Sequence, residues 1–152
     1  MGSQYSKISQ LFLRIAMATA FLSAVADRLG FWGGPGSPDA SWGDWEHFLH
    51  YSNKLNFFVS PQVGEILAVA ATVMEAVFAL LLLVGYKTRS VAFASGALLT
   101  LFALAMTMSL GIKSTFNYSV WIGAGAGFFL ATAGSYAYSI DNYIAKRAGK
   151  TS

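Results

Sequence analysis

The sequence predicts an all-α integral membrane protein, with residues 1–152 forming a single domain built as a four-helix bundle. Only 11% of the 152 residues are charged, and the mean hydropathy is +0.52. Soluble domains carry about a quarter charged residues. A chain with so few charges cannot cover a water-facing surface, so lipid is the expected solvent for much of it.

Four apolar stretches account for the predicted helices, at about 8–29, 63–84, 90–111 and 117–138. Each has about 22 residues and measures about 33 Å as a helix, close to a hydrocarbon thickness of about 30 Å. Short turns are expected between the second and third helices and between the third and fourth. The pattern therefore predicts four crossings of the bilayer.

A long segment, residues 31–62, separates the first two predicted helices and is rich in Gly, Pro and Trp. Within it, residues 42–55 follow an amphipathic pattern with Trp45 and Phe48 on one side. Trp and Tyr side chains favour the membrane interface. We therefore expect a short interfacial helix that lies on the outer leaflet or roofs the bundle.

The distribution of Lys and Arg predicts the orientation, because cytoplasmic loops carry an excess of these residues. Two lysines, Lys54 and Lys113, fall on one side of the predicted spans. The opposite side carries the larger set: Lys7, Lys87, Arg89, Lys146, Arg147 and Lys150. Both termini are thus predicted to be cytoplasmic, and we call their side the inner end and the other the outer end.

Composition excludes several kinds of chemistry. The absence of Cys excludes disulfides, thiolate metal sites and thiol–disulfide catalysis. No run of basic residues forms a nucleic-acid footprint, and no flavin, haem or iron–sulfur ligation signal is present. His47 and His50 are one helical turn apart, but two His without further convergent ligands predict solvated side chains and no metal site.

Glu75 is the most informative residue, since an acidic group near the middle of a membrane helix costs about 2.5–3.5 kcal/mol. From the predicted helix ends, Arg14 lies about 9 Å and Glu75 about 13 Å above the inner edge. We therefore predict an Arg14–Glu75 pair inside the membrane. Two interpretations stay open: the pair sets the register of two helices, or Glu75 handles protons or binds a polar head group.

A second group of polar residues is predicted to form a mouth at the outer end. Arg28 is expected to pair with Glu65, as Arg14 does with Glu75. The alternative is that these groups reach water by snorkelling or cap helix ends. The full predicted mouth consists of Asp27, Arg28, Glu65, Asn117 and Tyr118.

Several short motifs, in this order along the chain, resemble those of the DoxX/DoxD family. In the first helix they are Leu13-Arg14, Phe21-Leu22 and Arg28-Leu29-Gly30. In the second they are Glu75, the apolar run from Leu80 to Gly85, and then Thr88-Arg89. Asn117-Tyr118-Ser119 resembles the start of the last helix of that family. The resemblance extends over roughly residues 8–138.

The resemblance implies a four-helix bundle in the bacterial inner (cytoplasmic) membrane. Better-known members of the family are linked to quinone-dependent oxidation of sulfur compounds. The first hypothesis is therefore a quinone-interacting subunit of a redox system, with Asp27, Glu65 and Tyr118 meeting the quinone and a partner protein carrying the electrons. Whether the chain itself is an enzyme stays open.

Two other hypotheses are a non-enzymatic module and a carrier. The module would bind membrane lipid or a protein partner on the outer face, through the segment that contains Trp42 and Trp45. The carrier would depend on Glu75 and would require an oligomer, because four helices leave little room for a transport path. Gly123 and Gly127 have the GxxxG spacing of a helix dimer, although packing within the bundle is the preferred interpretation.

Overall fold

The computed structural model describes residues 2–149, with the side chains from residue 4 onward, and within this range the regular structure is all α-helical. Lys150, one of the cations used to predict the orientation, lies outside the described residues. The helices are α1 (Gly2–Arg28), α2 (Trp45–Leu55), α3 (Pro61–Val84), α4 (Thr88–Leu110), α5 (Ile112–Asn117), α6 (Val120–Ala131) and α7 (Ile140–Arg147).

Three helices, α1, α3 and α4, are long and apolar enough to cross a membrane. The predicted boundaries of α3 and α4 agree with the structure to within two residues, while α1 begins six residues before the predicted start at Ile8. The sequence therefore identified three long apolar helices correctly. The fourth crossing and the inward orientation of both termini stay predictions.

The fourth predicted helix, 117–138, is shorter in the structure than expected. Helix α6 has 12 residues, about 18 Å, which is less than a hydrocarbon thickness. It begins after Ser119, whose φ of 53° lies in the left-handed region and breaks the helix from α5. At its other end the Thr132 hydroxyl donates to the Phe129 carbonyl, and Tyr136 turns back so that its hydroxyl donates to the Leu130 carbonyl at 3.1 Å.

Helices α4 and α6 form the most extensive helix contact of the structure, and small residues line it. Gly127 leaves no room for a side chain, because a Cβ there would lie 2.7 Å from the backbone nitrogen of Gly96 and 2.9 Å from the carbonyl of Ala92. Such close approach lets two backbones pack through dispersion forces in lipid. The glycines thus pack within the bundle, which was the preferred interpretation of their spacing.

Helix α1 packs mainly against α3 through a stripe of buried residues at spacings of three and four. Met17, Ala18 and Phe21 belong to the same core cluster as Ala79 and Leu82 of α3. Helix α2 packs against α3 and α4, and its buried residues are Phe48 and Ser52. The short helix of the outer segment therefore roofs the bundle, which was one of its two predicted places.

We predict that Gly127→Ala lowers the free energy of unfolding by about 1–3 kcal/mol, because the added methyl group must separate α4 from α6. Gly125 is the matched control, since it lies on the same helix with open space around its Cβ position. Gly125→Ala is expected to be neutral or slightly stabilising, because Ala favours helix over Gly. Thermal unfolding in detergent measures both, and equal effects would contradict the packing described here.

Candidate functional site

The outer junction, named for its predicted side, is a buried ion pair between Arg28 at the end of α1 and Glu75 in the middle of α3. Both side chains are 4% exposed, and the Arg28 guanidinium donates directly to a carboxylate oxygen of Glu75. The same guanidinium donates to the Thr72 hydroxyl at 2.7 Å. Because a buried charge without a partner is costly, these contacts fix where α1 ends against α3.

Aromatic side chains of the outer segment cover the outer junction. The Arg28 guanidinium carbon lies 3.9 Å from the ring centre of Phe48 and 5.5 Å from that of Trp42. Trp42 and Phe48 pack edge to face at 5.1 Å. Such rings attract a cation through their electron-rich faces. The roof thus contributes to the binding of Arg28 as well as shielding the pair from water.

The predicted pairs, Arg14 with Glu75 and Arg28 with Glu65, are both wrong. Arg14 reaches the carbonyl of Leu83, eight residues or about 12 Å beyond Glu75 along α3. Helix α1 begins earlier than expected and is therefore displaced towards the inner end relative to α3. This displacement brings the Arg28 side chain within reach of Glu75, whereas Glu65 is exposed about 15 Å further out.

The inner junction is formed by Arg14, which is 1% exposed, and the backbone that follows α6. The Arg14 guanidinium donates to the carbonyl of Tyr138 at 2.8 Å and to that of Ala137 at 3.3 Å. Gln10, one turn earlier on α1, also donates to the Ala137 carbonyl at 3.3 Å. Arg14 thus satisfies the carbonyl groups of an irregular segment, which a buried backbone requires.

The turn between α3 and α4 completes the inner junction. Gly85 ends α3 with a φ of 68°, and a Cβ there would collide with Ser139 and with the Arg14 guanidinium. Asp141 of α7 accepts bonds from the backbone N–H groups of Lys87 and Thr88 at 2.8 and 2.7 Å. It therefore caps α4, which lacks a side-chain cap of its own.

Asp27 anchors the loop that carries the roof. Its carboxylate, on a residue 5% exposed, accepts bonds from the backbone N–H groups of Ser41 at 3.0 Å, Trp42 at 3.3 Å and Gly43 at 3.2 Å. Three N–H donors stabilise a carboxylate that burial would otherwise penalise. Asp27 therefore holds Trp42 above its neighbour Arg28.

The remaining residues of the predicted mouth do not converge on Arg28. Glu65, Asn117 and Tyr118 are all exposed. Asp27 and Arg28 are buried next to one another, but Asp27 binds the loop and Arg28 binds α3. The outer end thus contains an anchored roof over an ion pair in place of an open polar mouth.

The aromatic and histidine residues of the outer segment have separate roles. Trp42 and Trp45 both contact Phe48, so they stabilise the roof from within.

His47 is exposed, and its ring nitrogen Nδ1 lies 2.8 Å from Asp44, which caps α2. The pKa of Asp44 lies below its usual value. The main cause is the hydrogen bond from the His47 backbone N–H, and the hydrogen bond to the His47 ring is the second. His50 is exposed, and no group of three metal-ligating side chains is found within residues 2–149.

Two open grooves are present on the described surface. The outer groove has a volume of about 530 Å³. It is lined by Ala20, Ser23, Ala24, Asp27, Trp32, Asp39, Ser41 and Trp42. The inner groove has a volume of about 490 Å³. It is lined by Arg89, Ser90, Phe93, Phe128, Ala131 and Thr132.

Sequence reasoning missed Asp141, Trp32 and Asp39. Asp141 lies two residues beyond Ser139, whose hydroxyl accepts the backbone N–H bond of Asn142 and caps α7. A Ser cap followed by an acidic residue signals a helix start, so α7 was detectable. No local signal places Asp141 beside α4, or Trp32 and Asp39 beside α1, because both arrangements depend on loop paths.

We predict that Asp27→Ala releases the loop over Arg28. Amide hydrogen exchange at residues 41–43 is expected to become at least about tenfold faster, because loss of the charged acceptor removes about 1.5–3 kcal/mol of hydrogen bonding. Asp39→Ala is the matched control, since Asp39 is exposed in the same segment. Unchanged exchange in Asp27→Ala, or equal acceleration in both variants, would contradict the anchoring role.

Comparison with known proteins identifies the family. The sequence model of the DoxX family matches residues 9–110, which include most of α1, the outer segment, α2, α3 and α4. No curated protein and no solved structure matches the chain. Arg14, Arg28, Glu75, Gly85 and Thr88-Arg89 lie inside the match, whereas Asn117-Tyr118-Ser119 lies beyond it. The chain belongs to the DoxX family.

Proposed function

We propose that this DoxX-family protein is a membrane subunit that binds a quinone in the outer groove and serves a redox partner protein. The observation that carries the proposal is the composition of that groove. It combines two Trp rings, two Ser residues and two carboxylates beside the outer end of the apolar helix α1. Ligand sites for lipophilic molecules share this combination of apolar walls and a few polar groups.

The walls of the groove suit a flat ring with polar oxygens. Ala20 and Ala24 line the α1 side of the groove with small side chains. A ring that enters from the lipid therefore meets little obstruction. Trp32 is 50% exposed and offers a ring face, while its indole N–H is committed to the carbonyl of Ser23. Ser41 contributes a hydroxyl group that is able to donate to a quinone carbonyl.

Asp39 is the carboxylate best placed to relay protons from water to a bound quinone, while the partner protein supplies the two electrons that reduce the quinone to the quinol. It is exposed and makes no ion pair with another described residue. Asp27 also lines the groove, but its oxygens bind three backbone N–H groups. Glu75 is occupied by Arg28. Asp39 therefore differs from the residues that the sequence predicted to meet the quinone, which were Asp27, Glu65 and Tyr118.

Electron transfer beyond the quinone requires a partner, because the sequence contains no thiol and no flavin, haem or iron–sulfur ligation signal. The quinone is consequently a diffusible ligand in this proposal, and the chain contributes binding and proton transfer. A location in the bacterial inner membrane follows from the family resemblance and forms part of the same proposal.

A non-enzymatic membrane module is the second candidate. It is favoured by the fact that the buried carboxylates, Asp27 and Glu75, both have structural partners. Trp42 and Trp45 pack on Phe48, so a partner would instead meet exposed aromatic residues of the outer segment: Phe31, Trp32, Phe57 and Phe58. The same residues are typical of an interfacial belt that contacts lipid.

A water-soluble quinone analogue is expected to raise the unfolding temperature of the purified protein. Binding to the folded state alone contributes about 2.7 kcal/mol at a hundredfold excess over Kd. Trp32→Leu and Asp39→Asn should abolish most of the shift. Phe57→Leu and Glu46→Gln, which change exposed residues outside the groove, should retain it.

Two results separate the candidates. The absence of any shift at saturating analogue, or a shift that Trp32→Leu and Asp39→Asn leave intact, would refute the quinone proposal. Co-purification of a protein partner that is lost in Phe57→Leu, together with no response to the analogue, would support the non-enzymatic module.

A further inference from the structure

We propose that the inner groove, between the start of α4 and the end of α6, binds the head group and upper acyl chain of an anionic phospholipid. This site is separate from the outer groove and does not depend on quinone binding. Its components are one arginine, two hydroxyl residues and two aromatic rings, which are arranged from the end of the bundle towards its middle.

Arg89 supplies the positive charge of the inner groove. Its guanidinium forms no ion pair and no hydrogen bond with another described residue, unlike those of Arg14 and Arg28. An exposed cation without a protein partner is available to an anion from outside the chain. A phosphate group accepts hydrogen bonds from guanidinium in a bidentate geometry.

Backbone donors add to the polar end of the groove. Arg89 and Ser90 lie in the first turn of α4, where N–H groups have no carbonyl partner within the helix. Asp141 occupies the N–H groups of Lys87 and Thr88, but those of Arg89 and Ser90 donate to no other described residue. Helix N-termini bind phosphate through such groups together with the helix dipole.

The apolar part of the groove distinguishes a lipid from free phosphate. Phe93 lies one turn further along α4 than Arg89, and its ring packs edge to face with that of Phe128 on α6 at 5.4 Å. Phe93 is 59% exposed and Phe128 is 37% exposed, so both present apolar surface to the surroundings. Ala131, at the end of α6, leaves space beside them. A phospholipid fits this order, because its phosphate would lie at Arg89 and its acyl chain beside the two Phe rings.

The surrounding charge favours an anionic lipid over a zwitterionic one. Lys87, Lys146 and Arg147 lie at the same end of the bundle as Arg89. Within residues 2–149 the acidic residue at this end is Asp141, and its carboxylate already accepts a hydrogen bond from the backbone at the start of α4. A basic residue close to the anionic group contributes a factor of about five in binding, and the contribution of more distant basic residues is reduced by screening.

The test compares lipids with identical acyl chains by native mass spectrometry and by unfolding temperature. The purified protein should retain phosphatidylglycerol at least about fivefold better than phosphatidylcholine, and phosphatidylglycerol should raise the unfolding temperature. Arg89→Gln should remove the preference and Arg89→Lys should restore most of it. Ser90→Ala removes one hydroxyl group of the groove and keeps the charge, so it should weaken the preference for phosphatidylglycerol less than Arg89→Gln does.

Two arginine or lysine variants serve as matched controls: Arg147→Gln at the same end but outside the groove, and Lys113→Gln at the other end. Lys113→Gln should keep the preference for phosphatidylglycerol, and Arg147→Gln should reduce it much less than Arg89→Gln does, because Arg147 lies outside the groove. An equal loss in Arg89→Gln and Arg147→Gln would overturn the site in favour of diffuse surface attraction. Equal retention of the two lipids by the unmodified protein, or equal stabilisation by inorganic phosphate alone, would also overturn it.

Discussion

The buried ion pair between Arg28 and Glu75 sets the arrangement of the outer half of the molecule. Two charges with 4% exposure of each side chain are tolerated because each satisfies the other, although the buried Nε of Arg28 has no hydrogen-bond partner among the described residues. Thr72 accepts a further bond from the guanidinium, and the ring of Phe48 covers the guanidinium at 3.9 Å. The end of α1, the register of α3 and the position of the roof therefore depend on one contact.

The inner half is held differently, by an arginine that binds backbone. Arg14 donates to carbonyl groups at residues 137 and 138 and at the end of α3. Asp141 then caps α4 from the segment that Arg14 holds in place. Both ends of the bundle are fixed by internal polar contacts, and the two proposals concern the two grooves on its surface.

The sequence predicts the long helices well and the charged contacts poorly. Hydropathy over about 22 residues locates α3 and α4, since each must match the hydrocarbon thickness. Which arginine contacts Glu75 depends on the position of α1 along α3. The predicted start of α1 was about two turns too late, and the prediction therefore paired Glu75 with Arg14, whereas the structure pairs it with Arg28. The shortness of α6 was equally hidden, because Thr132 to Tyr136 carry no charge that would interrupt the hydropathy pattern. The groove residues Trp32 and Asp39 come together through a loop path that no local pattern encodes.

Two double-mutant cycles in detergent test the central claim most directly. Arg28→Met and Glu75→Leu should each lower the free energy of unfolding by about 3–5 kcal/mol, because each leaves a buried charge unpaired. The double variant should lose less than the sum, with a coupling of about 0.5–3 kcal/mol. Arg14→Met combined with Glu75→Leu should be additive to within about 0.5 kcal/mol. Coupling of Glu75 to Arg14 and not to Arg28 would contradict the account.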